Sequence, residues 1–444
     1  MVLPLLDSFT KLSMSNGYSS TVIGALACQQ NSYLKELNTE IVSCNQVTDF
    51  QKFKNLKLNS IVKNYQDSEQ DIFEIESKDT ILFPEGGGQP SDSGELINLS
   101  TNEIIPVFAV YRDGLIARHL TTTKIDPNTD IKIKLNWEKR FDHMQQHTGQ
   151  HLLSAILDNY DIPTLSWNMG ETINYIEINK KLSDEEMTKF SNEFNKLITE
   201  NSSINLITPH PSDFDKSIDT EKGLLRSVKI DNLNDNNPCC GTHLNSTGQL
   251  KGLILLNQIS GKNNNSKLNF IIGDRIFKFS ENNFKILKNL NGLLSCDSNQ
   301  LSEKLTLLQK NFKKSSSRES TFIKELAILN SDILKQKIEN SNSNSNDEIL
   351  TLYKSNMNLD FINQIFKNLN PIINEKTVVL LVGDVNEIGY ILIFGKKTSE
   401  LSEEFKKIFE NLKGGGKNNK FQAKIPNLSK NELNNAINFI NSLN

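Results

Sequence analysis

Three of the six histidines, His143, His147 and His151, stand four residues apart. On a helix each four-residue step turns a side chain by only about 40°, so all three share one face. Eight residues rise about 12 Å, too far for one ion to be held by both His143 and His151, so one neighbouring pair must be chosen. His147 and His151 lead into the apolar run Leu152, Leu153, Ile156, which would press them against a core. His143 is expected at the frayed start of the helix, with Asp142 as a cap. A second segment, Pro238-Cys239-Cys240-Gly241-Thr242-His243, offers a thiol and an imidazole at the same four-residue step. Mixed nitrogen and sulfur donors without redox chemistry suit zinc. The expected ligands are His147, His151, Cys239 and His243, with Cys240 as the alternative thiol. Histidines at i, i+4 alone are more often surface residues; the Cys-His segment reverses that weighting. Four protein ligands close a structural site, whereas a catalytic zinc keeps a position for water. Catalysis here therefore requires that one ligand, His243 in the first place, bind weakly, or that the ion expand to five-coordination.

Elements must bring those two segments together across roughly 90 residues. With 444 residues the chain has room for two to four domains. From about Glu40 to Arg140 short apolar-polar alternations are separated by Asp, Asn, Gly and Pro, most strictly in Ile131 to Trp137. Several short strands before any long helix predict a β-barrel domain over 25–140. An α+β domain follows over 141–290: the histidine helix, a strand near Tyr175 to Ile178, a helix over Asp184 to Thr199, and strands around Leu224 to Ile230, Leu250 to Ile259 and Leu268 to Phe279. Leu305, Leu308, Phe312, Phe322, Leu326, Leu329 and Ile333 fit one heptad frame that Ser315 and Glu319 interrupt, so an antiparallel helical hairpin is expected over 298–340. The Ser-Asn repeat within 341–348 reads as a flexible linker. The remainder, 349–444, reads as an α/β module with strands Val378 to Val382 and Tyr390 to Phe394, a helix over Ser399 to Leu412, a glycine loop at Gly414 to Gly416 and a terminal helix. The fold class is thus α+β and multidomain.

The net charge of -4, with 23% charged residues of mixed sign, leaves no polycationic character, so nucleic acid would have to be met by local patches. Five scattered cysteines suit a reducing, cytoplasmic setting better than a disulfide framework. No apolar run approaches the roughly 20 residues of a membrane span. Residues 1–24, with one lysine and no arginine, fit neither a secretory signal nor an Arg-rich presequence and read as a disordered extension.

Three segments carry a resemblance. His147-Thr148-Gly149-Gln150-His151-Leu152-Leu153, Cys239-Cys240-Gly241-Thr242-His243 and Phe83-Pro84-Glu85-Gly86-Gly87-Gly88-Gln89-Pro90 resemble, in order, motifs of the free-standing alanyl-tRNA editing proteins, whose zinc domain is shared with the editing domain of alanyl-tRNA synthetase. The resemblance runs from about Ala25 to the C-terminus and is closest to the long eukaryotic form. It implies a zinc-dependent hydrolase that removes serine from mischarged tRNA(Ala) in trans, with no nucleotide cofactor. Synthetase editing domains usually carry Thr just before the second helix histidine, where this chain has Gln150. Gly86, Gly87 and Gly88 would let backbone N–H groups approach the substrate, and Gln89 would orient the ester or the amino acid. Gln89, Thr148 and Gln150 are candidates for reading the serine hydroxyl. Lys406, Lys407, Lys413, Lys417, Lys420 and Lys424 gather around Gly414 to Gly416 as a tRNA-contacting patch, with Lys413, Lys417 and Lys420 at its centre. Two other readings compete: an editing hydrolase acting on Ser-tRNA(Thr), since threonyl-tRNA synthetase editing domains use a similar arrangement, and a non-catalytic zinc protein that binds RNA or a partner. The Gly-Thr between Cys239 and His243 favours the alanine system.

Overall fold

A computed structural model describes residues 19–209, 218–219, 223–224, 226–231, 233, 237–340, 349–373, 376–417 and 419–443. The chain divides into two compact units, Met1–Ile286 and Leu287–Asn444. The expected linker 341–348 and the first 18 residues of the expected extension lie outside the described residues. The rest of that extension is a correction. Ser20, Thr21, Val22 and Ile23 are buried, and Thr21 and Ile23 donate backbone hydrogen bonds to Lys78 and Leu115. Val22 and Ile23 give the segment apolar surface worth burying, which the lack of a targeting signature had concealed.

In the first unit, strands β1 (Glu36–Gln46), β2 (Phe73–Ser77), β3 (Gly94–Asn98), β4 (Ile104–Val107), β5 (Ala109–Asp113), β6 (Ile116–Thr121) and β7 (Asp130–Leu135) form one sheet. Their order, β4-β3-β7-β1-β2-β6-β5, curls into a nearly closed barrel. The strict alternation of β7 buries Ile131 and Ile133 beside Ile41, Ile75 and Leu96. Two helices, α1 (Ala27–Gln30) and α2 (Asn59–Asp67), flank these strands.

Helix α3 (Trp137–Asp158) carries the histidines. It starts earlier than expected, because Asn136, not Asp142, is its cap: the Asn136 side chain accepts from the Lys139 N–H at 3.2 Å. Asp142 instead lies in the second turn, where Arg275 grips both its carboxylate oxygens at 2.8 and 2.7 Å. His143 is consequently not frayed but buried. From His143 to Leu157 every residue of α3 is buried, polar ones included. A helix buried all round must pair its polar groups. Gln146 does so with the Ile272 carbonyl at 3.0 Å and the Asn174 amide at 2.8 Å.

Around α3 lie β8 (Thr164–Asn168), β9 (Asn174–Ile178), α4 (Asp184–Glu200), β10 (Ile204–Ile207), β11 (Ile218–Asp219), β12 (Gly223–Leu224), β13 (Ser227–Ile230), β14 (Asn237–Pro238), β15 (Leu253–Ser260) and β16 (Ser266–Ile272). Strands β15-β16-β9-β8 form one sheet and β10-β13-β14 another. The Ser183/Glu186 capping box starts α4 where the sequence places it. The expected strand to Phe279 ends early: Gly273, at φ 69°, turns the chain into α5 (Asp274–Leu294).

The second unit takes in the last turns of α5 and then α6 (Leu301–Asn340), one continuous helix where a hairpin was expected. Neither Gly nor Pro occurs within it, and Ser costs a helix only about half a kcal/mol, so Ser315 interrupts the apolar stripe without stopping the helix. Next come β17 (Ile349–Lys354), α7 (Leu359–Leu369), β18 (Thr377–Val382), β19 (Gly389–Gly395), α8 (Thr398–Ile408), β20 (Lys413–Lys417), β21 (Lys420–Ile425) and α9 (Lys430–Ser442). The sheet order is β17-β18-β19-β21-β20. Val378 and Leu380 pack with α6 and α7, Val379 and Leu381 with α8 and α9, so β18 is apolar on both faces. The glycine loop is a further correction: Gly414 to Gly416 lie in β20, paired with β21 through Lys413↔Lys424 and Lys417↔Lys420. Among the described residues no helix is long and apolar enough to cross a membrane.

Candidate metal centre

Helix α3 presents His147 and His151 on one face, and the segment after β14 brings Cys239 and His243 opposite them. One donor atom from each of these four residues lies within 4.8 Å of the others. Cys239 Sγ is 3.4 Å from His147 Nε2 and 3.2 Å from His243 Nε2. This is the set of four expected from spacing, with Cys239 and not Cys240 as the thiol.

Neighbouring groups hold the rings so that particular nitrogens converge. His147 Nδ1 donates to Gln89 Oε1 at 2.8 Å, which leaves Nε2 as the lone-pair nitrogen facing Cys239. His243 Nδ1 lies 3.3 Å from Thr148 Oγ1, a hydroxyl that also accepts from the Leu244 N–H at 3.0 Å. Such outer bonds fix ring orientation and tautomer in metal sites. His151 has no hydrogen bond to another described residue. The least tethered ring is therefore His151, whereas sequence reasoning gave that part to His243, which is 1% exposed. Burial holds His151 down to about 4 and His147 and His243 well below the usual imidazole range, so all three are neutral bases at pH 7. Burial pushes the Cys239 thiol up to about 11, while the Gly241 N–H, 3.3 Å from Sγ, and the Arg226 charge pull the other way. Three neutral imidazoles and a buried thiol form a donor set suited to a divalent cation such as zinc.

Gln89 is wholly buried, and both ends of its amide are spent inside the protein. Its Oε1 also accepts from the Thr242 N–H at 3.1 Å, and its Nε2 donates to Thr242 Oγ1 at 2.8 Å. It therefore stands behind His147 and Thr242 and does not face substrate, which corrects the expectation that it orients the ester. Thr148, equally buried, stands behind His243. Of the three glycines, Gly87 lines the cavity at the metal centre. Gly88, at φ 82°, lies against Trp167, whose ring an added Cβ would meet at 2.6 Å. Gly86 and Gln89 close the loop on each other through backbone bonds of 3.1 and 3.0 Å.

The cavity measures 650 Å³, and His147, His151, Cys239 and Gln150 lie in its wall. Gln150 Nε2 donates to Ser154 Oγ at 2.9 Å, and Ser154 in turn contacts Thr164 Oγ1 at 2.7 Å. The Gln150 side-chain oxygen, Oε1, accepts from no described residue. Sequence reasoning missed Trp167, Arg112 and Arg226, which also line the cavity. Arg226, buried, binds the carbonyls of Gln29 and Gly241, and Gln29 Nε2 donates to the Cys240 carbonyl at 2.7 Å. No local pattern marks such residues, since their partners lie far away in sequence. In the second unit, Lys406 and Lys407 are taken by Glu403 and Glu404 at 2.6 Å, and Lys420 sits 4.0 Å over the Phe366 ring. The ammonium groups of Lys413, Lys417 and Lys424 form no ion pair or hydrogen bond with a described residue.

The chain is 37% identical to a Saccharomyces cerevisiae protein named as the alanyl-tRNA editing protein alaX, over 93% of this chain and 95% of that one. The Xenopus laevis alanyl-tRNA editing protein Aarsd1-A is 33% identical over 91% of this chain and 95% of its own length. The chain belongs to the alanyl-tRNA editing protein family. A shorter match, 31% identity over 48% of this chain and 55% of the other, links it to the archaeal AlaX-L of Pyrococcus horikoshii. No protein-family model matches. The helix motif, the Cys-His motif and the glycine-rich loop each contribute to the wall of one cavity, through His147 and His151, Cys239, and Gly87.

Proposed function

We propose that the chain is a cytoplasmic trans-editing hydrolase that cleaves the ester of serine mis-attached to tRNA(Ala), with a zinc ion held by His147, His151, Cys239 and His243. The observation that carries this reading is the convergence of those four donors, three of which, His147, His151 and Cys239, lie in the wall of a 650 Å³ cavity. The names of the relatives, which refer to editing of alanyl-tRNA, support the substrate class. A zinc ion bound there would polarise an ester carbonyl and acidify a water toward neutral pH. Gln89 and Thr148 keep the rings of His147 and His243 aimed at the site. Gly87 leaves room for the terminal ribose. Gln150, whose side-chain oxygen is unspent, accepts from the seryl hydroxyl, and alanine, lacking that hydroxyl, leaves it unpaired. The partner is aminoacylated tRNA, with Lys413, Lys417 and Lys420 of the second unit as its further contacts.

Deacylation of Ser-tRNA(Ala), Ser-tRNA(Thr) and Ala-tRNA(Ala), each with and without a chelator, tests this. Chelator-sensitive hydrolysis of the first is the expected result, and preference for Ser-tRNA(Thr) would defeat the choice of tRNA. Cys239→Ala should lower bound zinc from about one per chain and slow hydrolysis by at least about 100-fold while the circular dichroism spectrum persists. Unfolding of that variant with no turnover in the parent protein would favour a structural zinc site.

A further inference from the structure

Helix α6 carries more apolar surface than the described residues cover. One side of it is used inside the second unit, where Ile323, Ala327 and Leu334 are buried with Phe361, Ile362 and Ile365 of α7. The neighbouring face is open. From Leu301 to Ile333 apolar residues recur at alternating steps of four and three, in one frame broken only at Ser315 and Glu319, and because the helix is continuous they make a single seam. Six of them, Leu305, Leu308, Phe312, Phe322, Leu329 and Ile333, are exposed, Phe312 to 75%. An aligned apolar strip of this length is more than a solvated helix ordinarily shows to water.

The polar break says what fits there. Ser315 and Glu319 stand at the middle of the seam, so an identical helix laid antiparallel puts Leu305 on the partner's Leu329, Leu308 on the partner's Leu326 and Phe312 on the partner's Phe322. The break then meets itself, Ser315 against the partner's Glu319. Along one flank Lys304 comes opposite the partner's Asp332, and at the centre the two Arg318 guanidinium groups lie beside the two Glu319 carboxylates, so that the four charges cancel. Neither Arg318 nor Glu319 has an ion pair with a described residue, and Asp332 has only an exposed contact with Lys335, at 3.3 Å. On the other flank, where α7 lies, the partner brings the small or neutral side chains Ser302, Gln309 and Ser316. A parallel pair would instead set one Glu319 on the other and Lys304 opposite Gln309. Burying the six exposed apolar side chains removes on the order of 600 Å² from each copy, and the flanking residues bring this near the roughly 800 Å² per partner of a specific complex.

We propose that α6 is a homodimer interface, at which a second copy of this chain pairs antiparallel about Ser315 and Glu319. Sedimentation equilibrium of the full-length 50.2 kDa chain should give twice that mass at micromolar concentration. Leu308→Asp, at a position 54% exposed, should raise the dissociation constant at least about 100-fold while the circular dichroism spectrum is kept. Lys304→Glu and Asp332→Lys should each weaken the dimer roughly tenfold. Both in one chain should restore it, because the reversed charges meet again only across an antiparallel pair. A monomeric parent would leave the seam to some other protein and overturn the proposal. A dimer untouched by Leu308→Asp, or charge reversals whose effects add instead of cancelling, would overturn it as well. None of these measurements needs turnover, so the dimer and the editing reaction stand or fall separately.

Discussion

At Gly241 the candidate metal centre has no room for a side chain: an added Cβ would lie 2.2 Å from His147 Cε1 and 2.3 Å from its Nδ1. Gly241→Ala must therefore push that ring off its bond to Gln89. Zinc content measured on the purified variant should fall by at least about tenfold, and retention of a full equivalent would show that the loop yields instead. His119 lies in the barrel, away from the metal ligands, and gives a pH effect with a definite sign. Its Nδ1 faces the Ile75 carbonyl at 3.0 Å and its Nε2 the Thr80 hydroxyl at 2.8 Å, and burial lowers it from 6.5 to about 4. Between those values the unfolded chain takes up a proton that the folded one refuses. Stability is therefore complete above about 6.5 and lost as pH falls toward 4, by up to about 3 kcal/mol. Urea midpoints at pH 7 and pH 5 should show this slope in the parent and less of it in His119→Gln. Residue chemistry was legible where the ligands repeat at a helical step. Gln89 was noticed for its neighbours, but its burial could not be read from sequence, and Arg226 has no signature because its partners are carbonyls from elsewhere in the chain.

Helix α3 is seated against the sheet at Gly149, where an added Cβ would come within 2.3 Å of Ile272 Cδ1. Gly149→Ala should gain about 1 kcal/mol of helix propensity yet lose more to overpacking. The net result should be a lower melting temperature and weaker zinc retention, and a more stable variant would place the helix farther from β16. Element by element, the sequence was most readable where period and capping agreed, as in β7 and α4. It misled at α6, where a polar break in an apolar stripe was mistaken for a turn. It misled again at β20, where three glycines read as a loop although β21 supplies a full antiparallel partner.

For the molecule as a whole, the candidate metal ligands and the exposed lysines fall in different units, so the proposed reaction and the proposed tRNA contact can be tested separately. The net charge is -4, yet Lys413, Lys417 and Lys424 cluster on β20 and β21 of the second unit, while the donor set lies in the first. Reversing two of them, Lys413→Glu with Lys417→Glu, should raise KM for aminoacyl-tRNA several-fold and flatten its dependence on salt. Zinc content should stay at its original value. An unaltered salt slope would assign those lysines to solvent.

The amide of Gln89 grips the ring of one donor and, through Thr242, the segment that bears two others, while itself belonging to the barrel. An ion held by those donors would then leave more slowly than from rings and a thiol free to move independently. The rate at which a coloured chelator strips the protein would act as a clock for breathing of the barrel's rim, and shortening the clasp with Gln89→Asn should make it run faster.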